Sequence, residues 1–182
     1  MAFRATCGPV IFVLACFDFH GLLLAAVLAA GFVSDVADAQ IAWRTGTMTP
    51  ALRHADTLVD TVFYGAAAVA MAVVVPGAFA GAGLLLVAFI TIHVSRATFE
   101  LAKYGRVASY HMWSAKALGA LLAVALAWSF VTGRPTALVT WALWLGIANE
   151  LEGFAASALL PAWRPDVPSL LHARRLTHTP AA

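Results

Sequence analysis

Apolar positions in this chain come in long unbroken runs, and the polar residues gather in the gaps between them. Six such runs stand out, over residues 2–17, 22–44, 51–75, 78–103, 107–131 and 135–161. Most are close to the roughly 20 residues that a helix needs to cross a bilayer. Alanine, leucine and valine fill them without the two-residue alternation of a membrane barrel strand. Each run therefore predicts a transmembrane helix that satisfies its own backbone inside lipid. Asp18 to Gly21, Pro76-Gly77 and Thr132 to Pro135 separate the runs at one end, and Thr45 to Pro50 and Tyr104 to Arg106 at the other. The expected architecture is an all-α integral membrane protein, a six-transmembrane-helix bundle in residues 1–162. A polar C-terminal tail, 163–182, holds three prolines and reads as an exposed strap or a disordered end.

Composition agrees with this outline and narrows it. Of 182 residues, 62% are hydrophobic and 11% charged, so six spans leave no room for a separate soluble domain. The net charge of +2 is uninformative, but its placement is not. With the N-terminus in the cytoplasm, Arg4, Arg44, Arg53, Arg96, Lys103, Arg106, Lys116, Arg164, Arg174 and Arg175 lie near or beyond cytoplasmic helix ends. Arg134 alone falls outside, so ten of the eleven basic residues share one side. That is a strong positive-inside bias, as in a bacterial inner (cytoplasmic) membrane. Nothing in the chain points to nucleic acid. Cys7 and Cys16 have no second cysteine or histidine at ligand spacing and read as small hydrophobic side chains.

Four aspartates interrupt this apolar background. Asp35 and Asp38 close the second run, and Asp56 and Asp60 open the third. An uncompensated carboxylate in hydrocarbon costs roughly 3 kcal/mol even on lenient scales, so such residues usually face a polar cavity. The i,i+3 and i,i+4 spacings put each pair on one helix face, and a tight turn would bring the faces together. Convergent carboxylates repel one another unless cations lie between them. All-oxygen ligands select hard cations, which makes Mg²⁺ or Mn²⁺ the natural occupant.

The spacing is also a signature. The chain reads D-x-x-D-A-x-x-A-W, eight residues, then L-x-x-x-D-x-x-x-D, from Asp35 to Asp60. This resembles the CDP-alcohol phosphatidyltransferase motif, D-x-x-D-G-x-x-A-R, eight residues, G-x-x-x-D-x-x-x-D. Asp35, Asp38, Ala42, Asp56 and Asp60 fall in register without a gap. Ala39 and Leu52 stand where the motif has glycine, and Trp43 where it has arginine.

The resemblance implies transfer of a phosphatidyl or other substituted phosphoryl group from a CDP-linked lipid donor, such as CDP-diacylglycerol, in phospholipid biosynthesis. The acceptor would be a small alcohol or phosphorylated alcohol, and CMP would be released. It implies two Mg²⁺ or Mn²⁺ ions on Asp35, Asp38, Asp56 and Asp60, with Asp60 taking the acceptor's proton. Ala39, Ala42 and Arg44 would lie at the nucleotide. A homodimer among membrane lipids is implied too, its polar cavity and active site facing the cytoplasm.

The remaining polar residues leave alternatives open. Arg96 and Lys116 lie about two turns inside the fourth and fifth runs. They serve either as topology determinants touching lipid headgroups or, by the resemblance, as ligands for acceptor phosphate. Glu150 and Glu152 in the sixth run call for a buried basic partner or Asn149, or else form a second metal site, and Glu100 calls for Arg96 or Lys103 on its own helix. Other classes share some of these features. A degenerate relative would keep metal without catalysis. A prenyltransferase on polyprenyl diphosphates would be longer, and an ion channel or carrier would spread its aspartates along a path.

Overall fold

The computed structural model describes residues 2–47 and 49–177, the side chains of Trp43 and Pro50 excepted. Among these residues are seven α-helices and no strand: α1 Ala2–Cys16, α2 Gly21–Thr45, α3 Pro50–Val74, α4 Gly83–Tyr104, α5 Trp113–Thr132, α6 Ala137–Leu159 and α7 Leu170–Leu176. Four stretches, Gly21–Ala42, Ala51–Val74, Gly83–Tyr104 and Trp113–Thr132, are long and apolar enough to cross a membrane. α1 is shorter, at 15 residues. α6 has 23 residues, but its second half carries Asn149, Glu150 and Glu152. Large apolar side chains such as Leu84, Val87, Ile90 and Val94 on α4 and Trp128 on α5 are exposed. Such a surface suits lipid and not water, and the protein is an integral membrane protein.

The link between α2 and α3 follows from its residues. Gly46 takes φ 65°, in the left-handed region, and its N–H donates to the Ala42 carbonyl. The Thr47 N–H donates to the same oxygen at 3.2 Å, ending α2. Thr49 then caps α3, its hydroxyl accepting the Leu52 N–H at 3.2 Å, with Pro50 in the first turn.

Two starts differ from the hydrophobic pattern by more than two residues. α4 begins at Gly83 rather than 78, after turns in which Gly77 and Gly81 both have positive φ. α5 begins at Trp113 rather than 107, because the intervening residues form an ordered loop. In that loop the Ala108 N–H donates to the Glu100 side chain at 2.7 Å and His111 has φ 51°. The segment after Trp163 is not an exposed strap over its described length. Val167 and Ala173 are fully buried, and Ser169 caps α7 by accepting from the His172 N–H. Apolar side chains spaced three apart, Leu170, Ala173 and Leu176, join a cluster with Tyr110, Met112 and Leu160. Residues 178–182 of the expected tail lie outside the described residues.

The chain forms two compact units. One comprises the residues up to Ala80 with Leu121–Val139, and the other Gly81–Ala120 with the described residues from Thr140 on. In the first, α1 packs against both α2 and α3. Gly31 permits this close approach, since a Cβ there would come within 2.6 Å of the Phe63 ring and 3.4 Å of Cys7. Ile11, Leu24, Leu28 and Phe63 fill the core beside it. In the second unit the core around Ala156 and Leu160 is tied to a polar network described below.

Candidate active site

The register of α2 against α3 brings Asp35, Asp56 and Asp60 together. Each offers one carboxylate oxygen, and the three lie within 4.8 Å of one another. Asp38, one turn further along α2, lines an adjoining cleft of about 290 Å³ with Ala39, Ile41, Ala42, Thr47, Leu52, Arg53 and Asp56. That volume is near the lower end for small-molecule sites.

A guanidinium stands among the three carboxylates. Arg4, in the first turns of α1, has no exposed surface. Its Nη1 donates to Asp35 Oδ1, and its Nη2 to Asp56 Oδ1. Asp60 Oδ1 lies 3.0 Å from Nη1 as an ion pair but receives no hydrogen bond, and it is buried. Arg4 Nε is likewise buried without an acceptor. Three carboxylates thus face one guanidinium, which leaves excess negative charge and an unsatisfied acceptor oxygen. This donor set fits a hard divalent cation held by Asp35, Asp56 and Asp60.

Residues 1–150 match the CDP-alcohol phosphatidyltransferase family. The match spans 150 of 182 residues, and the chain belongs to that family, a class of membrane phosphotransferases dependent on divalent metals. No curated protein and no solved structure matches the chain significantly.

The other residues expected at the site fall in different places. Ala39 and Ala42 line the cleft, as does Leu52. Arg44 is exposed in the last turn of α2 and is not among the lining residues, whereas Arg53 is. Arg53 and Arg4 were legible only as basic residues at a cytoplasmic helix end. The usable signals were spacing, with Arg53 three residues before Asp56 on the same helix face, and a charge inside an apolar helix at Arg4.

Arg96 and Lys116 belong to the second unit. Arg96 Nε donates to Glu100 Oε1 at 2.8 Å and Nη1 to Glu150 Oε2 at 3.1 Å. Its guanidinium lies 5.7 Å from the Tyr110 ring centre and so close to α6 that a Cβ at Gly153 would approach it to 2.4 Å. Glu100 is fully buried and also accepts from Ser157 Oγ at 2.6 Å and from the Ala108 N–H. Glu150 meets His93 Nδ1 at 3.0 Å. Glu152 accepts from Ser114 Oγ at 2.6 Å and from the Leu170 N–H at 3.1 Å. The basic partner expected for Glu150 and Glu152 is present for Glu150, whereas the contacts described for Glu152 are with Ser114 and the Leu170 N–H, and Glu100 pairs with Arg96 on its own helix. In the loop before α5, burial pushes the Tyr110 phenol above its ordinary range, and its hydroxyl lies 2.8 Å from Ser157 Oγ. The Lys116 ammonium sits over the Trp113 ring, 4.4 Å from its centre.

Proposed function

We propose that this protein transfers a phosphatidyl or related phosphoryl group from a CDP-linked lipid such as CDP-diacylglycerol to a hydroxyl acceptor, releasing CMP, in phospholipid biosynthesis. The observation that carries this reading is the convergence of Asp35, Asp56 and Asp60 oxygens beside a cleft lined by Asp38, Ala39 and Ala42.

In this reading Asp35, Asp38, Asp56 and Asp60 hold two Mg²⁺ or Mn²⁺ ions. When bound, these ions neutralise the charge that builds on the donor's diphosphate. Asp60 takes the acceptor's proton; its Oδ1, ion-paired with Arg4, receives no hydrogen bond. The acceptor oxygen bonds to the lipid-bearing phosphorus, the bond from that phosphorus to the CMP oxygen breaks, and CMP departs with the electron pair. Ala39 and Ala42 leave space for the nucleotide, and Arg53 rather than Arg44 supplies the positive charge at the cleft wall. Of the two basic residues expected at acceptor phosphate, Arg96 is committed to Glu100 and Glu150, and the Lys116 ammonium lies over the Trp113 ring.

The proposal includes six membrane crossings, a bacterial inner-membrane location, a homodimer and a cytoplasm-facing site. Purified protein given labelled CDP-diacylglycerol, Mg²⁺ or Mn²⁺ and a panel of alcohol and phosphorylated-alcohol acceptors should release CMP with at least one of them. Silence across the panel with both metals sinks the activity. For orientation, Asp18→Cys and Arg106→Cys, in a background lacking Cys7 and Cys16, should label from opposite sides. Labelling of both from one side breaks the six-crossing topology.

A further inference from the structure

We infer that Arg4 is the acidic centre's resident counter-cation, and that a divalent ion loads the centre by displacing its guanidinium from Asp35 and Asp56. This rests on the reading that the centre takes a divalent cation.

Three observations carry it. First, Arg4 is fully buried, so it is not a headgroup contact of the kind that orients membrane helices. Second, its terminal nitrogens engage the same carboxylates that form the ligand group: Nη1 with Asp35 and Asp60, Nη2 with Asp56. A dication held by those oxygens and a guanidinium hydrogen-bonded to them would be like charges competing for one small volume. Third, the arrangement is not saturated, because Arg4 Nε and Asp60 Oδ1 are both buried without hydrogen-bond partners. Here the Arg4 guanidinium lowers the repulsion among three carboxylates and leaves the Asp60 oxygen without a hydrogen bond, open to a stronger cation.

Arg4 lies beside the packing of α1 on α2 and α3. Cys7, one turn beyond Arg4, faces Gly31 of α2, and Gly31 in turn meets the ring of Phe63 in α3. Moving the guanidinium therefore requires either a new side-chain rotamer or a shift of the first turns of α1 against both neighbours.

The experiment measures Mn²⁺ binding to the full chain in detergent without nucleotide, by the loss of the free-ion magnetic resonance signal. Thermal midpoints are taken in EDTA and in metal. Arg4→Met should bind Mn²⁺ at least about fivefold more tightly than wild type, the lower end of ordinary site-to-site coupling. Its midpoint in EDTA should fall, and its rise on adding metal should grow. Arg4→Lys keeps the charge but loses the two-pronged fork, and its affinity should lie between the two. Affinity equal to or weaker than wild type in both variants overturns the inference. If Arg4→Met fails to fold, Arg4→Lys decides alone, tighter binding supporting the inference and equal or weaker binding refuting it. Wild-type protein that binds no Mn²⁺ overturns the metal reading as well. Wild-type binding with unmoved variants overturns only the role of Arg4.

Discussion

Arg4 and Arg96 are both guanidiniums set among carboxylates, in different units of the chain. Around Arg96 the donors match the acceptors: Glu100 receives Arg96, the Ser157 hydroxyl and the Ala108 N–H, and Glu150 receives Arg96 and meets His93. Around Arg4 they do not, since one guanidinium meets three carboxylates and an Asp60 oxygen goes unbonded. A closed network holds helices and loops in place. An open one holds negative charge ready for something that binds. Removing a partner from the first should cost stability, and changing the second should alter binding and turnover.

The largest expected effect tests the open network. Asp60→Asn should lower CMP release by about 10²–10⁴-fold, the usual worth of a positioned base, while Mn²⁺ still raises the thermal midpoint. Near-normal turnover would remove Asp60 from the base role. Next comes the closed network. Arg96→Met strands two buried carboxylates and should cost about 3–5 kcal/mol, read as a lower midpoint in detergent. Mn²⁺ affinity should be unmoved in whatever protein remains folded, and a changed affinity would blur the contrast.

Gly153→Ala should be milder, about 1–3 kcal/mol for overpacking against the Arg96 side chain, again seen in the midpoint and not in metal binding. The smallest effect concerns the departures from the family motif. Leu52 is only half-buried at the cleft, so Leu52→Gly should cost about 1 kcal/mol in helix propensity and open no large void. If its neighbours have settled around leucine, combining it with Ala39→Gly and Trp43→Arg should yield no gain in CMP release. A gain would mean the native residues are drift.

The helix runs and the acidic motif were legible because each follows from local chemistry. Continuous apolar sequence needs lipid, and aspartates at i,i+3 and i,i+4 share a helix face. The α2–α3 link was equally readable from Thr45-Gly46 and Thr49-Pro50. The loop before α5 was not, because Ala108, Tyr110 and Met112 are as apolar as the helix that follows. The break shows in tertiary contacts, such as the Glu100 carboxylate that takes the Ala108 N–H. Arg4 was hidden for a similar reason, since a charge near a cytoplasmic helix end satisfies the topology rule whether it meets lipid or aspartate. The buried face of α7 was overlooked because prolines and arginines around it outweighed the spacing of Leu170, Ala173 and Leu176.

The loop of residues 107–112 has a further dependence, on time. The Asp166 N–H donates to the Ser109 carbonyl at 3.3 Å, and the Trp113 N–H to that of Pro168 at 3.2 Å. Asp166 follows Ser109 by 57 positions in the chain. At synthesis rates of about 5–20 residues per second, the loop is made roughly 3 to 11 seconds before these partners exist. The stretch from Arg4 to Asp60, by contrast, is already synthesised by then. On the ribosome, the acidic centre's own residues are all available to assemble while the second unit still waits for its closing segment.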